Sequence, residues 1–258
     1  MSNPIRVQVE NGIGFISLNR PEKMNSLSTF LVDSLTETLF KLEKSPDVKV
    51  LILSGEGKSY CAGGDLETIK QFTKPSEIID YLQRAVHLSQ VILNLDKYVI
   101  SAVHGYAAGA GFSLALASDF IIADRSAKFG LNFANIGVIP DLGLMKLLFE
   151  RVPLAIAKEW IISGKILEAE EAIKWGLVNK VVESNLLENA REFAQVVLKG
   201  APMSNKYVKK MLNHSVQLPW DGYLEQEIMV QANLIASDDL QEGLKAFMEK
   251  RVPEFKGN

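Results

Sequence analysis

The chain has 258 residues, of which 47% are hydrophobic and 23% charged, so it can form a globular domain with a sizeable core. A net charge of −3 provides no basic surface for a phosphate backbone, which argues against nucleic-acid binding. The single cysteine, Cys61, excludes a disulfide within the chain and a multi-cysteine zinc site. We see no signal-peptide pattern and no apolar run of membrane-spanning length, and therefore expect a soluble cytoplasmic protein with no membrane partner.

Strand and helix patterns alternate through the first half of the chain. The turn Asn11-Gly12 lies between two alternating segments and indicates a hairpin. Leucines on one face predict a helix over residues 28–44, and a helix of small residues is predicted over residues 112–118. The predicted strands are residues 5–9, 14–18, 48–53, 98–103, 120–123 and 178–182. This alternation predicts the α/β fold class.

From about residue 142 the sequence is mainly helical. Residues 184–198 have an amphipathic pattern, and further helices are predicted as far as Lys250. Their apolar faces must cover either the core of the same chain or another subunit.

Two segments, residues 59–66 and 104–112, share one design: a buried strand, a glycine-rich turn and the start of a helix. Backbone N–H groups are unpaired at such places and can bind a developing negative charge. Two of them directed at one carbonyl oxygen form an oxyanion hole. The alternative is that the glycines only make turns and permit close packing.

Seven segments in the same order along the chain resemble the crotonase (enoyl-CoA hydratase/isomerase) superfamily. They are residues 17–27, 61–66, 97–111, 127–130, 137–141, 172–178 and 242–255. The sequence is most similar to the branch of 1,2-epoxyphenylacetyl-CoA isomerases and enoyl-CoA isomerases. The resemblance implies a spiral of ββα units over residues 1–195, which carries the active site. It also implies a helical region over residues 196–258 that forms a homotrimer or a dimer of trimers.

The resemblance also implies the roles of individual residues. The N–H groups of Gly64 and Ala110 are expected to hold the thioester oxygen, and Asp141 is the third expected catalytic residue. The implied CoA-binding residues are Lys23, Met24, Ala62, Gly63, Gly64, Asp65, Leu66, Gly109 and Phe133. The substrate is expected to be an acyl-CoA thioester, with no metal and no separate cofactor.

The acidic residues indicate the type of reaction. Hydratases of this family use two glutamates, and the matching positions here are Ser113 and Phe133, which places ordinary hydration in doubt. Asp141 matches the carboxylate of some isomerases, although as a residue before a helix it could instead be an N-cap. We therefore predict an acyl-CoA isomerase of the enoyl or ring-epoxide type. An enoyl-CoA hydratase and a non-catalytic acyl-CoA-binding relative remain as alternatives.

Other readings of single residues point to structural roles. Ser113, Asp141 and His214 follow the order of a serine-hydrolase triad, but Ser113 lies inside a helix and not at a strand-to-helix corner. Asp65 is expected to cap a helix, Asp119 to be structural and Cys61 to be an inert thiol. The three histidines, His87, His104 and His214, have no metal-ligand spacing.

Overall fold

The computed structural model describes residues 3–258 as a mixed α/β structure. Its strands are β1 (Ile5–Glu10), β2 (Ile13–Leu18), β3 (Val50–Gly55), β4 (Tyr98–Val103), β5 (Tyr106–Ala108), β6 (Phe120–Asp124), β7 (Lys128–Gly130), β8 (Ile166–Glu168) and β9 (Lys180–Val182). Its helices are α1 (Thr29–Lys44), α2 (Leu66–Lys70), α3 (Pro75–Asn94), α4 (Ala110–Ala117), α5 (Leu144–Phe149), α6 (Leu154–Ser163), α7 (Ala169–Lys174), α8 (Leu186–Leu198), α9 (Pro202–His214), α10 (Trp220–Ile235) and α11 (Asp238–Glu249).

The larger sheet has the strand order β1-β2-β3-β4-β6-β9. Its first two strands are antiparallel, as the Asn11-Gly12 turn predicts, and both turn residues have the positive φ angles that such a turn requires. The remaining neighbours pair in parallel, and β3 and β4 are almost wholly buried. This explains why their sequences are continuous apolar runs.

A second, smaller sheet has the order β5-β7-β8. The strands β4 and β6 of the larger sheet are each followed within a few residues by a strand of the smaller one, β5 and β7. After β3, Cys61 forms a single parallel bridge with Ala107 of β5, so that turn of the chain follows the same course. These successive turns form the predicted spiral of ββα units.

Helices cover both faces of the larger sheet. Ser28 caps α1 through its hydroxyl, which accepts from the Leu31 N–H, and α1 packs against α3. On the other face α8 packs on β3, β4 and β6 and buries its small apolar residues. The boundary proposed between residues 195 and 196 falls inside this helix and stays a prediction.

A buried ion pair ties α9 to the sheet. The Lys209 ammonium lies 2.8 Å from Asp119 Oδ2 and also donates to the carbonyls of Ile92 and Lys97, both at 3.0 Å. The same Asp119 oxygen accepts from the Val99 N–H. Because a buried charge must be paired and hydrogen-bonded, Asp119 has the structural role expected for it.

Within residues 3–258, no helix is both long and apolar enough to cross a bilayer.

Candidate active site

The loop after β3 is fixed on both sides by backbone hydrogen bonds. On one side the Ala108 N–H donates to the Cys61 carbonyl, and on the other the Leu27 N–H donates to the Gly63 carbonyl at 2.7 Å. Gly63 has φ +102°, and a Cβ there would lie 2.7 Å from the Ala108 carbonyl oxygen. A Cβ on Gly111 would collide with the Cys61 carbonyl. Glycine at these two positions therefore lets the loop approach the start of α4.

Gly64 follows in this loop and pairs with Leu27 as a parallel bridge. In such a bridge the residues on either side of Gly64 make the hydrogen bonds: the Gly63 carbonyl accepts from Leu27, and the Asp65 N–H donates to Leu27. The N–H of Gly64 itself points away from Leu27. It donates to no acceptor within residues 3–258.

The second donor is the N–H of Ala110, the first residue of α4. It too has no acceptor among the described residues, because the first N–H groups of a helix lack an intrahelical partner. Ala110 does not have a positive φ angle, so an alanine can present its N–H here without backbone strain. A Cβ built on Gly63, the residue before Gly64, would lie 3.4 Å from the Ala110 nitrogen, so the loop that carries Gly64 runs close to the start of α4. The structure thus brings together two free donors at the positive end of one helix.

Asp141 lies beside the first turn of α4. Its Oδ1 accepts from the Ser113 hydroxyl at 3.3 Å, and within residues 3–258 no other residue donates to its Oδ2. The N-cap interpretation of Asp141 is wrong, because α5 begins three residues later, at Leu144, with Gly143 as its cap residue and no side-chain cap bond. Leu142 between them has φ +49°, and this left-handed turn separates the Asp141 carboxylate from the helix end.

Burial raises the pKa of Asp141 to about 6, and the hydrogen bond from Ser113 opposes this effect. A carboxyl with this pKa is mostly ionised at neutral pH, yet it is a stronger base than an exposed aspartate. Tyr81 of α3 and Cys61 are the neutral titratable groups near it. Burial, aided by the charge of Asp141, raises the pKa of each of them to about 12.

Of the two positions where hydratases carry glutamate, neither supplies a carboxylate. Ser113 is wholly buried, and its hydroxyl lies within hydrogen-bond distance of two acceptors, Asp141 Oδ1 and the Gly109 carbonyl. Phe133 is also buried, with its ring 3.8 Å from the position of a Cβ on Gly109. It therefore forms an apolar wall next to the two donors.

The proposed CoA-binding residues differ in exposure and in their contacts. Met24 and Leu66 are about half exposed, and the Lys23 ammonium lies 2.6 Å from the Glu67 carboxylate. Asp65 accepts from the N–H groups of Glu67 and Thr68 as the cap of α2, and it also pairs with Arg20 at 2.9 Å. The cap role expected for Asp65 is confirmed, and any contact it makes with CoA would come from its backbone.

Several alternative sites are not assembled. The Ser113 hydroxyl contacts Asp141 directly, whereas a hydrolase triad needs histidine between them. His214 lies on α9, where its Nδ1 contacts the Lys210 carbonyl. Cys61 is buried, and its raised pKa fits the expected inert thiol. Across residues 3–258, no group of three or more His, Cys, Asp or Glu side chains could hold a metal ion.

Two residues that contribute to the site were missed by sequence reasoning. Ser113 was considered as a replacement for glutamate and as a hydrolase nucleophile, but not as a partner of Asp141, although its i+4 spacing from Gly109 places it on the inner side of the first helical turn. Tyr81 was not singled out as a site residue. Its hydroxyl in fact donates to the Leu27 carbonyl at 2.7 Å, which supports the loop that carries Gly64.

One loop N–H, one helix-terminal N–H and one desolvated carboxylate are thus carried by a spiral of ββα units, and two such donors can stabilise negative charge on a carbonyl oxygen. The sequence model of the enoyl-CoA hydratase/isomerase family matches residues 8–258, and the chain belongs to this family. It is 35% identical to (E)-benzylidenesuccinyl-CoA hydratase of Thauera aromatica over 98% of this chain and 99% of that one. It is also 35% identical to carnitinyl-CoA dehydratase of Salmonella typhi over the full length of both chains.

Solved structures agree with the fold over the whole chain. The enoyl-CoA hydratase of Bacillus anthracis superposes with a TM-score of 0.94 at 32% identity, covering 99% of this chain and 100% of that one. An enoyl-CoA hydratase from Polaromonas sp. JS666 also gives 0.94, at 30% identity, covering 97% and 99% respectively. The crotonase fold predicted from the sequence is confirmed. The isomerase branch stays a prediction.

Proposed function

We propose that this protein is an acyl-CoA isomerase in which Asp141 alone moves the proton. One observation carries this proposal. The Asp141 carboxylate caps no helix and lies beside the first turn of α4, where the N–H groups of Gly64 and Ala110 have no acceptor within residues 3–258. The two positions at which a hydratase has its acids hold a serine and a phenylalanine. The preferred reactions are migration of a double bond in an enoyl-CoA and opening of a ring epoxide.

The thioester oxygen accepts hydrogen bonds from Gly64 and Ala110, and the positive end of α4 adds to the stabilisation of charge on that oxygen. Asp141 Oδ2, which has no partner of its own, takes a proton from the carbon beside the thioester. The electrons of that C–H bond form the enolate, whose charge rests on the held oxygen. In double-bond migration, Asp141 then returns the proton two carbons further along.

The CoA part of the substrate is assigned to the edge formed by Lys23, Met24 and Leu66, with Ala62, Gly63 and Gly109 lining the thioester. No metal or second cofactor enters this scheme. Charge on the enolate is stabilised by backbone donors, and the proton is moved by a carboxylate.

Hydration or dehydration of an acyl-CoA is the second candidate. It is favoured by two relatives whose names are (E)-benzylidenesuccinyl-CoA hydratase and carnitinyl-CoA dehydratase. In that reaction Asp141 would have to serve both the α-carbon and the water without a second carboxylate. Two acids suit those two tasks better than one does.

The first experiment is a panel of 3-enoyl-, 2-enoyl- and aryl-acetyl-CoA thioesters assayed with the wild type and Asp141→Asn. Asparagine keeps the shape and the oxygen that Ser113 contacts, but it cannot accept the proton. We expect the variant to lose about 10²–10⁴-fold in isomerisation while KM changes little.

Near-wild-type turnover by Asp141→Asn on the best substrate would contradict the assignment of Asp141. Fast hydration of a 2-enoyl-CoA by the wild type, without isomerisation of 3-enoyl thioesters, would instead favour the second candidate. Proton exchange at the α-carbon of a bound acyl-CoA in D₂O separates both enzymes from a non-catalytic CoA-binding protein.

We also propose that the protein is a homotrimer or a dimer of trimers. No residue of α10 is buried among residues 3–258, although its face carries Leu224, Ile228 and Ile235 at helical spacing. On α11 Phe247 is 84% exposed. Apolar helix faces of this kind need a partner surface, and a second copy of the chain is the proposed one.

A further inference from the structure

A buried hydroxyl lies between the base proposed above and the helix that carries the second donor. The Ser113 hydroxyl is 3.3 Å from Asp141 Oδ1 and 3.3 Å from the Gly109 carbonyl, and the side chain is wholly buried. A hydroxyl has one proton to donate, so only one of these two acceptors can receive it at a time.

The charge of Asp141 decides which acceptor is used. The Gly109 carbonyl already accepts from the N–H groups of Phe112 and Ser113, at 2.9 and 3.1 Å. An ionised carboxylate is also the stronger acceptor, because hydrogen bonds to charged groups are about twice as strong as neutral ones. Once Oδ2 carries the proton taken from substrate, Oδ1 becomes a weak acceptor. The Gly109 carbonyl is then the other acceptor within reach.

We propose that Ser113 is a positioning residue for Asp141: its hydroxyl fixes Oδ1 of the ionised carboxylate against α4 and leaves Oδ2 free to face the substrate. The hydroxyl turns to the Gly109 carbonyl while Asp141 is protonated and turns back when the proton leaves. Ser113 neither gains nor loses a proton in this cycle. This inference rests on the proposed function, in which Asp141 is the base.

The surroundings of Asp141 leave this role to Ser113. The charge of Asp141 contributes to the raised pKa values of the Tyr81 phenol, from α3, and the Cys61 thiol, from the loop after β3, so both of these groups are neutral at neutral pH. The Tyr81 hydroxyl donates to the Leu27 carbonyl. Burial opposes ionisation of Asp141. The hydrogen bond from Ser113 is the largest effect that counters burial, and the backbone N–H of Asp141 itself makes a smaller contribution.

The test is Ser113→Ala, read first without any substrate. In protein labelled with ¹³C at the aspartate carboxyls, NMR titration follows the ionisation of Asp141 directly, and Asp141→Asn assigns the signal. We expect the pKa of Asp141 to rise by about one pH unit in Ser113→Ala, because the variant loses a hydrogen bond to the charged form. The acid limb of kcat/KM should move upward with it. At pH 8.5 kcat should still be about 10- to 100-fold lower, because the carboxylate is no longer oriented.

Two variants serve as controls. Ser113→Thr keeps the hydroxyl and should return both the titration and kcat towards the wild type. Ser118→Ala removes a buried hydroxyl at the other end of α4, where it contacts Ser101, and should leave the Asp141 titration unchanged. Ser113→Ala itself should fold, because the Gly109 carbonyl keeps its two backbone donors.

An unchanged Asp141 titration in Ser113→Ala would overturn the inference, and the proposed function would still stand if Asp141→Asn is inactive. A shifted titration together with an active Asp141→Asn would show that Ser113 orients a carboxylate that is not the base. That outcome would remove the proposed function. A lower melting temperature without a change in the titration would indicate a purely structural serine and would also overturn the inference.

Discussion

The raised pKa of Asp141, which suits the base proposed here, lowers the stability of the folded protein when the carboxyl is ionised. Its pKa is raised by burial from the ordinary value of 3.8 to about 6 in the folded protein. A raised carboxyl pKa means that the folded state resists ionisation, so the penalty is absent below pH 3.8 and complete above pH 6. The difference between the two pKa values corresponds to about 3 kcal/mol at most.

We expect Asp141→Asn to be more stable than the wild type at alkaline pH. The variant removes the buried charge, while Ser113 can still donate to the amide oxygen. Urea unfolding at pH 5 and pH 8 should show that the advantage of the variant grows by about 1.5 kcal/mol between the two pH values. A difference in unfolding free energy that is the same at both pH values would show that Asp141 ionises freely in the folded protein.

At the scale of elements, the loop that carries Gly64 depends on α3. The Tyr81 hydroxyl donates to the Leu27 carbonyl, and the same carbonyl accepts from the Asp65 N–H. Leu27 is the residue that pairs with Gly64. Tyr81 therefore holds the strand-like segment against which the first proposed oxyanion donor is aligned.

Tyr81→Phe should lower kcat by a similar factor for every thioester substrate, because the oxyanion hole is common to all of them. We expect a loss on the order of tenfold, smaller than the 10²–10³-fold that follows removal of a donor. Tyr60→Phe is the matched control: it removes another buried tyrosine hydroxyl, which lies 2.9 Å from Ser101 Oγ. It should cost a similar amount of stability and leave kcat unchanged. Equal losses of kcat in the two variants would argue against a specific role for Tyr81.

The elements differ in how well the sequence predicted them. The strand Tyr98–Val103 and the helix with Ser28 as its cap were predicted to within about a residue, because each has a regular apolar pattern and a recognisable end. The three strands of the smaller sheet were missed. They have three residues each, which is too short for a period, and their pairing depends on contacts distant in the sequence.

The parts of the candidate site also differ in how well the sequence predicted them. The two glycine-rich segments could be found from the sequence, because glycine-rich turns before helices expose N–H groups, whereas the choice of Gly64 and Ala110 within them came from the resemblance to the family and stays a prediction. The environment of Asp141 could not be predicted. Pro140-Asp141 before a helix is a normal cap pattern, and only the left-handed Leu142 and the distant Ser113 show that its carboxylate is turned inward.

For the molecule as a whole, the C-terminal helices leave large apolar side chains exposed in the single chain. Lys209 fixes α9 to the sheet through Asp119, while α10 and α11 continue from it with exposed apolar side chains. Burial of such faces between copies would contribute roughly 25 cal/mol for each Å² of apolar area. We therefore expect sedimentation velocity at micromolar concentration to show a species of three or six times the 28.6 kDa chain mass.

Ile228→Glu tests whether the α10 face makes this assembly. Ile228 is 67% exposed within one chain, so a charge there should be tolerated by the isolated fold but not by a buried interface. We expect the dissociation constant of the assembly to rise by more than about 10²-fold, with smaller species in sedimentation at micromolar concentration. Asn233→Glu places the same charge on the other side of α10, where the Asn233 amide donates to the Met229 carbonyl, and should leave the assembly intact. A monomeric wild type would show that no second copy covers these helices. If Ile228→Glu assembles as the wild type does, a surface other than this face of α10 makes the assembly.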